Sequence, residues 1–404
     1  MPESGPRHAL RVTLLMAGSC LPILGAVLIS PVLPDIQRHF AGVPGVKALA
    51  PLVLTIPALA LAILAPFAGI IVDRLGRKRL LIVSTVCYAL FGTAPLWLDS
   101  LGAILGSRVL VGITEAAIMT CCTTLIGDYY SGRQRERYLA LQTMCASGSA
   151  TVFFVLGGAA GSAGWRTPFW IYAVSLVLAP AMVFALPRPA GPMPDARAEA
   201  VRAQRRPFPW RPLASTCALT FFGAMVFYTV PVEMSFLLND LDVKAVAAIG
   251  LATALASAAT VIGAVAFTRS KRGHERLLPG TFAVCAAGFA VMALAGDPAV
   301  LVLGAVVNCL GTGVLLPSLL TRAMSRLQYA DRGRGTGLWT AAFFGGEFAC
   351  PLIILALEAA TGSLASAVGV FAIAAFVLAA ALMFMARQAT NATRREVEVI
   401  SRSS

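Results

Sequence analysis

Charged residues are scarce in this sequence. They make up 13% of its 404 residues, about half of the roughly 25% that is usual in soluble domains. Hydrophobic residues make up 58%, and the mean hydropathy is +0.80. So few charges cannot cover the water-facing surface of a soluble globular protein of this size. The composition therefore predicts an integral membrane protein, with lipid as the solvent for most of the chain.

Patterns typical of metal centres, disulfides and nucleotide sites are also missing. The three histidines have no ligand spacing, and the nine cysteines lie inside apolar stretches without paired spacing. Such cysteines are expected to be small buried apolar residues. No Gly-x-x-x-x-Gly-Lys-Ser/Thr segment is present to bind a nucleotide, and no group of His, Asp and Glu gathers on one membrane face. We therefore predict no metal site, no cofactor and no enzymatic activity.

Acidic residues are outnumbered by basic ones, 19 to 32, which gives a net charge of +13. Almost all the basic residues fall in segments that would lie on one side of the membrane. This bias is the positive-inside pattern of membrane proteins and is not a nucleic-acid footprint. It predicts a multi-pass protein of the inner (plasma) membrane with both termini cytoplasmic.

Long apolar runs indicate where the chain crosses the bilayer. A hydrocarbon core of about 30 Å is crossed by about 20 helical residues. The first run is too long for the apolar core of a signal peptide, so we expect an uncleaved span. Breaks at charged, proline and glycine residues predict twelve spans in two groups of six, near 11–33, 48–72, 80–98, 101–127, 137–162, 167–187, 212–238, 246–268, 277–295, 299–324, 336–359 and 364–386.

The spans define the expected organisation of the chain. Residues 1–187 form an N-terminal six-helix bundle and residues 212–387 a C-terminal one. Residues 188–211 are basic and proline-rich, as in a cytoplasmic linker, and residues 388–404 form a cytoplasmic tail. The predicted fold class is an all-α integral membrane protein with twelve transmembrane helices in two six-helix repeats.

A charged stretch, Gly69 to Arg79, interrupts the apolar pattern between the second and third spans. Its sequence is Gly-Ile-Ile-Val-Asp-Arg-Leu-Gly-Arg-Lys-Arg. Charges are strongly disfavoured within hydrocarbon, so this stretch must lie at a membrane surface. The glycines allow a tight turn and a close approach of helices. A plain basic anchor would need neither the glycines nor the aspartate.

This stretch resembles the signature loop of the major facilitator superfamily, which has Gly-x-x-x-Asp-Arg-x-Gly-Arg-Lys-Arg between its second and third spans. Other segments are similar to those of the twelve-span drug/proton antiporter branch, namely 31–36, Arg108-x-x-x-Gly112, Gly127-Asp128 and Gly164-Trp165-Arg166. The resemblance implies a central cavity between the two bundles, a proton-coupling role for Arg108, and an efflux function.

One departure from that branch lies in the fifth span. Phe153 and Phe154 stand where the branch usually has Gly-Pro, although the paired glycines Gly157 and Gly158 follow. The change leaves the resemblance to the superfamily intact. It weakens the case for antiport and supports uptake as the alternative.

Three carboxylates within predicted spans are candidates for proton coupling or substrate binding, because an ionisable residue inside a membrane usually has a function. They are Glu115, Glu233 and Glu347. Glu115 follows Arg108 by nearly two helical turns on the same face, which suggests either a switchable charge contact or a static polar patch. Glu233 is either in the cavity or at its rim. Glu347, the deepest by position, is either a proton or cation site or a protonated acid bonded to a neighbouring helix.

Polar residues of lesser signal complete the candidate set. Tyr228 and Asn308 are expected in the cavity. Asp128 is expected to pair with arginines of the signature loop as a gate contact. The residues expected to control conformational gating are Gly69, Asp73, Arg74, Gly76, Arg77 and Asp128.

The sequence thus predicts a monomeric secondary transporter whose partners are a small molecule, protons and the bilayer. The expected activity is export of a small organic compound, such as a drug or siderophore, by proton antiport with alternating access. The alternative is a proton-coupled uptake symporter or a facilitator for a metabolite. Three acids and one arginine suit a cationic, zwitterionic or metal-chelating compound better than a sugar.

Overall fold

The computed structural model describes residues 6–187, 210–270, 274–325, 327 and 331–403. All regular secondary structure in these ranges is helical. This is what lipid requires of the chain, because a helix satisfies its own backbone hydrogen bonds where water is absent.

Between residues 6 and 187 the chain forms eight α-helices, some joined end to end by short 3₁₀ turns. They are α1 (Pro6–Val27), α2 (Leu33–His39), α3 (Val46–Leu64), α4 (Ala68–Leu75), α5 (Arg77–Thr93), α6 (Leu101–Tyr129), α7 (Gly132–Gly161) and α8 (Ser175–Ala185). A longer 3₁₀ segment, Thr167–Val174, leads directly into α8.

The described part of the second half contains six helices. They are α9 (Trp210–Asp240), α10 (Val246–Arg269), α11 (His274–Ala293), α12 (Pro298–Ser325), α13 (Arg332–Thr361) and α14 (Leu364–Ser403). Residues 188–209 of the expected linker lie outside the described ranges. The helix α14 continues through the expected tail as far as Ser403.

The predicted fold class is confirmed. Within the described ranges, eleven helical segments are long and apolar enough to cross a membrane, and the shorter apolar helix Leu277–Ala293 stands at the position of the ninth predicted span, 277–295. The α1–α2 region forms one such segment, His8–His39, because a 3₁₀ turn at Ser30–Val32 carries the helix past Pro31.

The two halves pack against each other through α2 and the Ser30–Val32 turn with α9, through α3 with α13, and through α7 with α10. Tyr228 donates a hydrogen bond to the carbonyl of Ala26, and Ser30 donates one to the carbonyl of Pro231. Small residues allow the closest approach: a Cβ at Gly250 would lie 2.6 Å from the carbonyl oxygen of Phe154. These contacts surround the polar residues in the middle of the bundle.

Candidate functional site

Glu115 lies in the middle of α6 and is 1% exposed. Its side chain is directed at α1, where a Cβ on Gly25 would come within 1.8 Å of the Glu115 Oε1 atom. Oε1 is buried and has no hydrogen-bond partner among the described residues. Glycine at position 25 is therefore what makes room for a carboxylate in the core.

Glu347 lies in α13, in the other half, and is 4% exposed. It is close enough to Glu115 for the two groups to interact electrostatically across the interface between the halves. Tyr228 of α9 is near both carboxylates and 2% exposed. We call Glu115 and Glu347 the central acidic pair, with Tyr228 beside it.

Aromatic rings line α13 on the approach to Glu347. Trp339 and Phe343 stack with centroids 5.6 Å apart and planes at 10°, and Phe343 meets Phe227 at 6.1 Å. Next to Glu347, Gly346 brings α13 against the backbone of Phe221 in α9. The part of α13 that carries Glu347 therefore packs on aromatic residues.

Arg108 is fully buried within the first half. Its guanidinium donates to Tyr172 Oη at 3.1 Å and to the carbonyls of Phe91 and Gly92 at 3.1 and 2.9 Å. The charge also lies over the rings of Phe169 and Tyr172, at 5.2 and 5.0 Å. These contacts fix α6 to α5 and to the 3₁₀ segment before α8.

Arg108 makes no ion pair with Glu115 in the described structure. The two groups are nevertheless close enough to interact electrostatically. Arg108 is instead anchored by two backbone carbonyls, by the Tyr172 hydroxyl and by two aromatic rings. The Glu115 carboxylate makes no direct contact with it. Arg108 is therefore placed to influence Glu115 through its field.

Asn308 is fully buried between α11 and α12. Its Nδ2 donates to the carbonyl of Cys285 at 3.3 Å, and its backbone and Cβ pack closely against Gly288. The structure thus places Asn308 in a helix–helix interface within the second half, whereas the sequence prediction placed it in the cavity.

Glu233, the third carboxylate, lies apart from the central acidic pair in a separate cleft. It is 4% exposed and shares the cleft walls with Lys47, Asp240 and Glu358. The structure thus places Glu233 in this cleft and almost fully buried.

The signature loop joins α4 to α5 through Gly76, whose φ of 84° lies in the left-handed region that suits glycine. Arg77 forms an ion pair with Asp128 at the end of α6, the pairing expected for that aspartate. Lys78 donates to the carbonyl of Val183 at 2.8 Å and to that of Leu186. The loop therefore ties together the ends of α5, α6 and α8.

The other gating candidates make fewer described contacts. A Cβ at Gly69 would meet nothing within 4 Å, and Arg74 is exposed. The backbone of Asp73 belongs to α4, but its side chain lies outside the described part of the structure.

Several residues of the site were missed by sequence reasoning. Tyr172 holds Arg108, Tyr88 donates to the carbonyl of Leu21 at 2.6 Å beside Gly25, and Gln142 of α7 donates to Ser19 at 2.8 Å. A glutamine in an apolar span was a signal that could have been used. Nothing in the sequence separates the two tyrosines from other aromatic residues.

Sequence comparisons with known proteins indicate the family of the chain. A family model described as the Major Facilitator Superfamily matches residues 15–330. The chain is 32% identical over 154 residues to the class E tetracycline resistance protein of Escherichia coli, covering 37% of this chain and 36% of that protein. It is 29% identical over 184 residues to multidrug resistance protein 2 of Bacillus subtilis (strain 168), covering 43% of each. The matches thus span less than half the length of these relatives.

Solved structures share the fold across nearly the whole chain. A D-xylose-proton symporter superposes with a TM-score of 0.77 at 12% identity, covering 92% of this chain and 97% of the other. A bacterial homologue of the human lysosomal transporter Spinster, in an inward-facing and unoccupied conformation, superposes with a TM-score of 0.73 at 16% identity, covering 95% and 98%.

The family model spans more than half of the sequence, and the twelve-helix arrangement is that of solved members. A carboxylate from each half meets at the centre, and the signature loop ties three helices at one end. The chain is a multi-pass membrane protein by its fold, and it belongs to the Major Facilitator Superfamily.

Proposed function

We propose that this transporter exports a small organic compound across the inner membrane in exchange for protons. The observation that carries the proposal is the central acidic pair: Glu115 and Glu347 come from opposite halves, are almost fully buried, and form no hydrogen bond or ion pair within the described residues. The relatives named for tetracycline and multidrug resistance support export.

The chemistry of such a pair supports coupling. Two carboxylates near each other in an apolar surrounding do not both carry charge readily, because desolvation and mutual repulsion disfavour the charged forms. A proton or a cationic group of the cargo relieves both effects. Binding of the cargo would therefore release a proton, and loss of the cargo would allow a proton to return.

The placement of the pair also supports alternating access. Each carboxylate belongs to a different half, so a rocking motion of the halves would change which side reaches the pair. The contacts of Tyr228 with Ala26 and of Ser30 with Pro231 cross between the halves and would break as one end opens. A single chain supplies both halves, which supports a monomeric transporter.

The signature loop is proposed as the gate that biases this motion. Arg77 and Asp128 join α5 to α6 beside the connection to α4, on the side proposed to be cytoplasmic. Asp73, Arg74, Gly69 and Gly76 are proposed to act with them. The loop would then control the rate of alternation and leave cargo affinity to the central acidic pair.

Proton-coupled uptake is the second candidate. It is supported by Phe153 and Phe154, which stand where the antiporter branch usually has Gly-Pro. The same central acidic pair would then carry a proton and a cargo in one direction.

The experiment that tests direction is transport into everted membrane vesicles from a strain that overproduces the protein. A panel of tetracyclines and organic cations is offered with an acid-inside proton gradient. Accumulation that requires the gradient and is lost in Glu347→Gln supports export. Gradient-dependent accumulation only in right-side-out vesicles, with acid outside, would replace export by uptake.

A further inference from the structure

A polar cavity lies between the two halves at one end of the bundle. This cleft of about 160 Å³ is lined by Gln37 and Lys47 from the first half and by Glu233, Asp240 and Glu358 from the second, with proline and apolar residues between them. We call it the acidic cleft. It lies apart from the central acidic pair, on the side of the membrane that the proposed orientation makes the outer one.

Glu233 is the deepest polar group of the acidic cleft. It lines the cleft although it is only 4% exposed, and it makes no hydrogen bond or ion pair with any described residue. A buried carboxylate without a partner is unfavourable as a bare anion. It is stabilised when a proton or a cation meets it from the cleft.

The charges around Glu233 make a cation in the cleft more favourable still. Glu358 of α13 interacts electrostatically with both Glu233 and Asp240. Lys47 of α3 interacts with Asp240, but it is exposed and forms no ion pair with these carboxylates in the described structure. Cys350 of α13 is the remaining titratable group near Glu233. Three carboxylates thus face one lysine.

The arrangement of these groups favours an organic cation over a metal ion. Among the described residues, no three His, Cys, Asp or Glu side chains converge closely enough to hold a metal. An ammonium group needs only one close carboxylate and gains from the field of the others. The volume of the cleft suits a cation of a few heavy atoms.

We propose that the acidic cleft is a binding site for a small organic ammonium ion, with Glu233 as the group that contacts it. Asp240 and Glu358 attract the cation at the rim, and Lys47 opposes its entry. A proton on Glu233 competes with it, so binding weakens as the pH falls. This site is separate from the central acidic pair and does not depend on the direction of transport.

The test is a thermal-unfolding titration of the purified full-length protein with ethylammonium chloride, compared with sodium chloride at equal ionic strength. A ligand that binds only the folded protein raises the midpoint with its concentration. We expect an apparent Kd for ethylammonium at least about tenfold lower than for sodium. Glu233→Gln should remove that preference, and Glu233→Asp should retain part of it.

Two further variants make the test specific. Lys47→Met removes the opposing charge and should strengthen binding several-fold. Asp242→Asn is the matched control: it deletes one acid two residues beyond Asp240, outside the cleft, at a φ of 62° that asparagine accepts. Its binding should equal that of the wild type.

Three results would overturn the proposal. They are equal midpoints in ethylammonium and sodium chloride, an unchanged preference in folded Glu233→Gln, and tighter binding of calcium chloride than of ethylammonium. The measurement involves no transport, so its failure leaves the proposed export untouched, and loss of export in other variants leaves this site intact.

Discussion

At the scale of single residues, the site depends on a glycine as much as on its acids. Glu115 fits into the core because residue 25 has no Cβ. Arg108 can be buried because Tyr172 and two backbone carbonyls accept hydrogen bonds from its guanidinium. A buried guanidinium without such acceptors would be strongly destabilising. The central chemistry therefore rests on neighbours that carry no charge themselves.

Gly25→Ala tests the first of these supports. The added Cβ would overlap Oε1 of Glu115, so we expect lower thermal stability, by about 1–3 kcal/mol as for overpacked cores, and loss of coupled transport. Adding Glu115→Ala should restore stability without restoring transport. A Gly25→Ala protein with normal stability and activity would show that Glu115 does not face position 25.

Tyr172→Phe tests the second support. The substitution keeps the ring beneath the Arg108 guanidinium and removes only the acceptor oxygen. Leaving one buried donor without its partner should cost about 1–3 kcal/mol in the free energy of unfolding, seen as a lower midpoint in a thermal scan. The control is Tyr129→Phe, at the end of α6. It removes a hydroxyl that donates to the carbonyl of Pro187, and it should lower the free energy of unfolding by less. Equal losses would mean that Arg108 does not rely on Tyr172.

At the scale of helices, the signature loop acts through the ends it joins. Arg77 and Asp128 lie near the surface, with side chains 17% and 18% exposed. Such pairs add little to stability. We propose instead that the pair favours one conformation of the transporter, because it holds the start of α5 to the end of α6 at the turn made by Gly76.

Asp128→Asn should therefore slow turnover while the apparent affinity for the cargo stays unchanged. Asp73→Asn is expected to have the same effect. The matched control is Asp99→Asn, which breaks the exposed pair of Asp99 with Arg166 away from the loop and should leave turnover unchanged. Initial rates over a range of cargo concentrations in proteoliposomes separate the two parameters. A change of affinity alone in Asp128→Asn would exclude a gating role.

The positions of the helices along the chain were largely predictable from the sequence. Which side of each helix faces its neighbours was not. Apolar runs locate the spans because hydrocarbon admits little else, so α6, α10 and α12 lie where they were expected. The rotation of a helix about its axis depends on packing against helices far away in sequence. That is why Asn308 was expected in the cavity and lies between α11 and α12, and why the separation of Glu233 from Glu347 could not be foreseen.

At the scale of the molecule, two sets of carboxylates occupy the interface between the halves. The central acidic pair has one member in each half, and the acidic cleft has three carboxylates in the second half facing Lys47 of the first. Glu347, Pro351, Leu355 and Glu358 follow one another along one face of α13, so a single helix borders both sites. Motion of that helix would change both sites together.

The central claim is that Glu115 and Glu347 couple proton movement to cargo movement. The most direct measurement compares proton-gradient-driven transport with equilibrium exchange of labelled cargo in proteoliposomes, for Glu115→Gln, Glu347→Gln and the wild type. Exchange needs cargo binding and alternation, whereas driven transport also needs a titrating group. The account predicts that each variant keeps exchange, at a lower cargo affinity because one carboxylate of the pair remains, and loses gradient-driven accumulation. Driven accumulation at the wild-type level in both variants would contradict it.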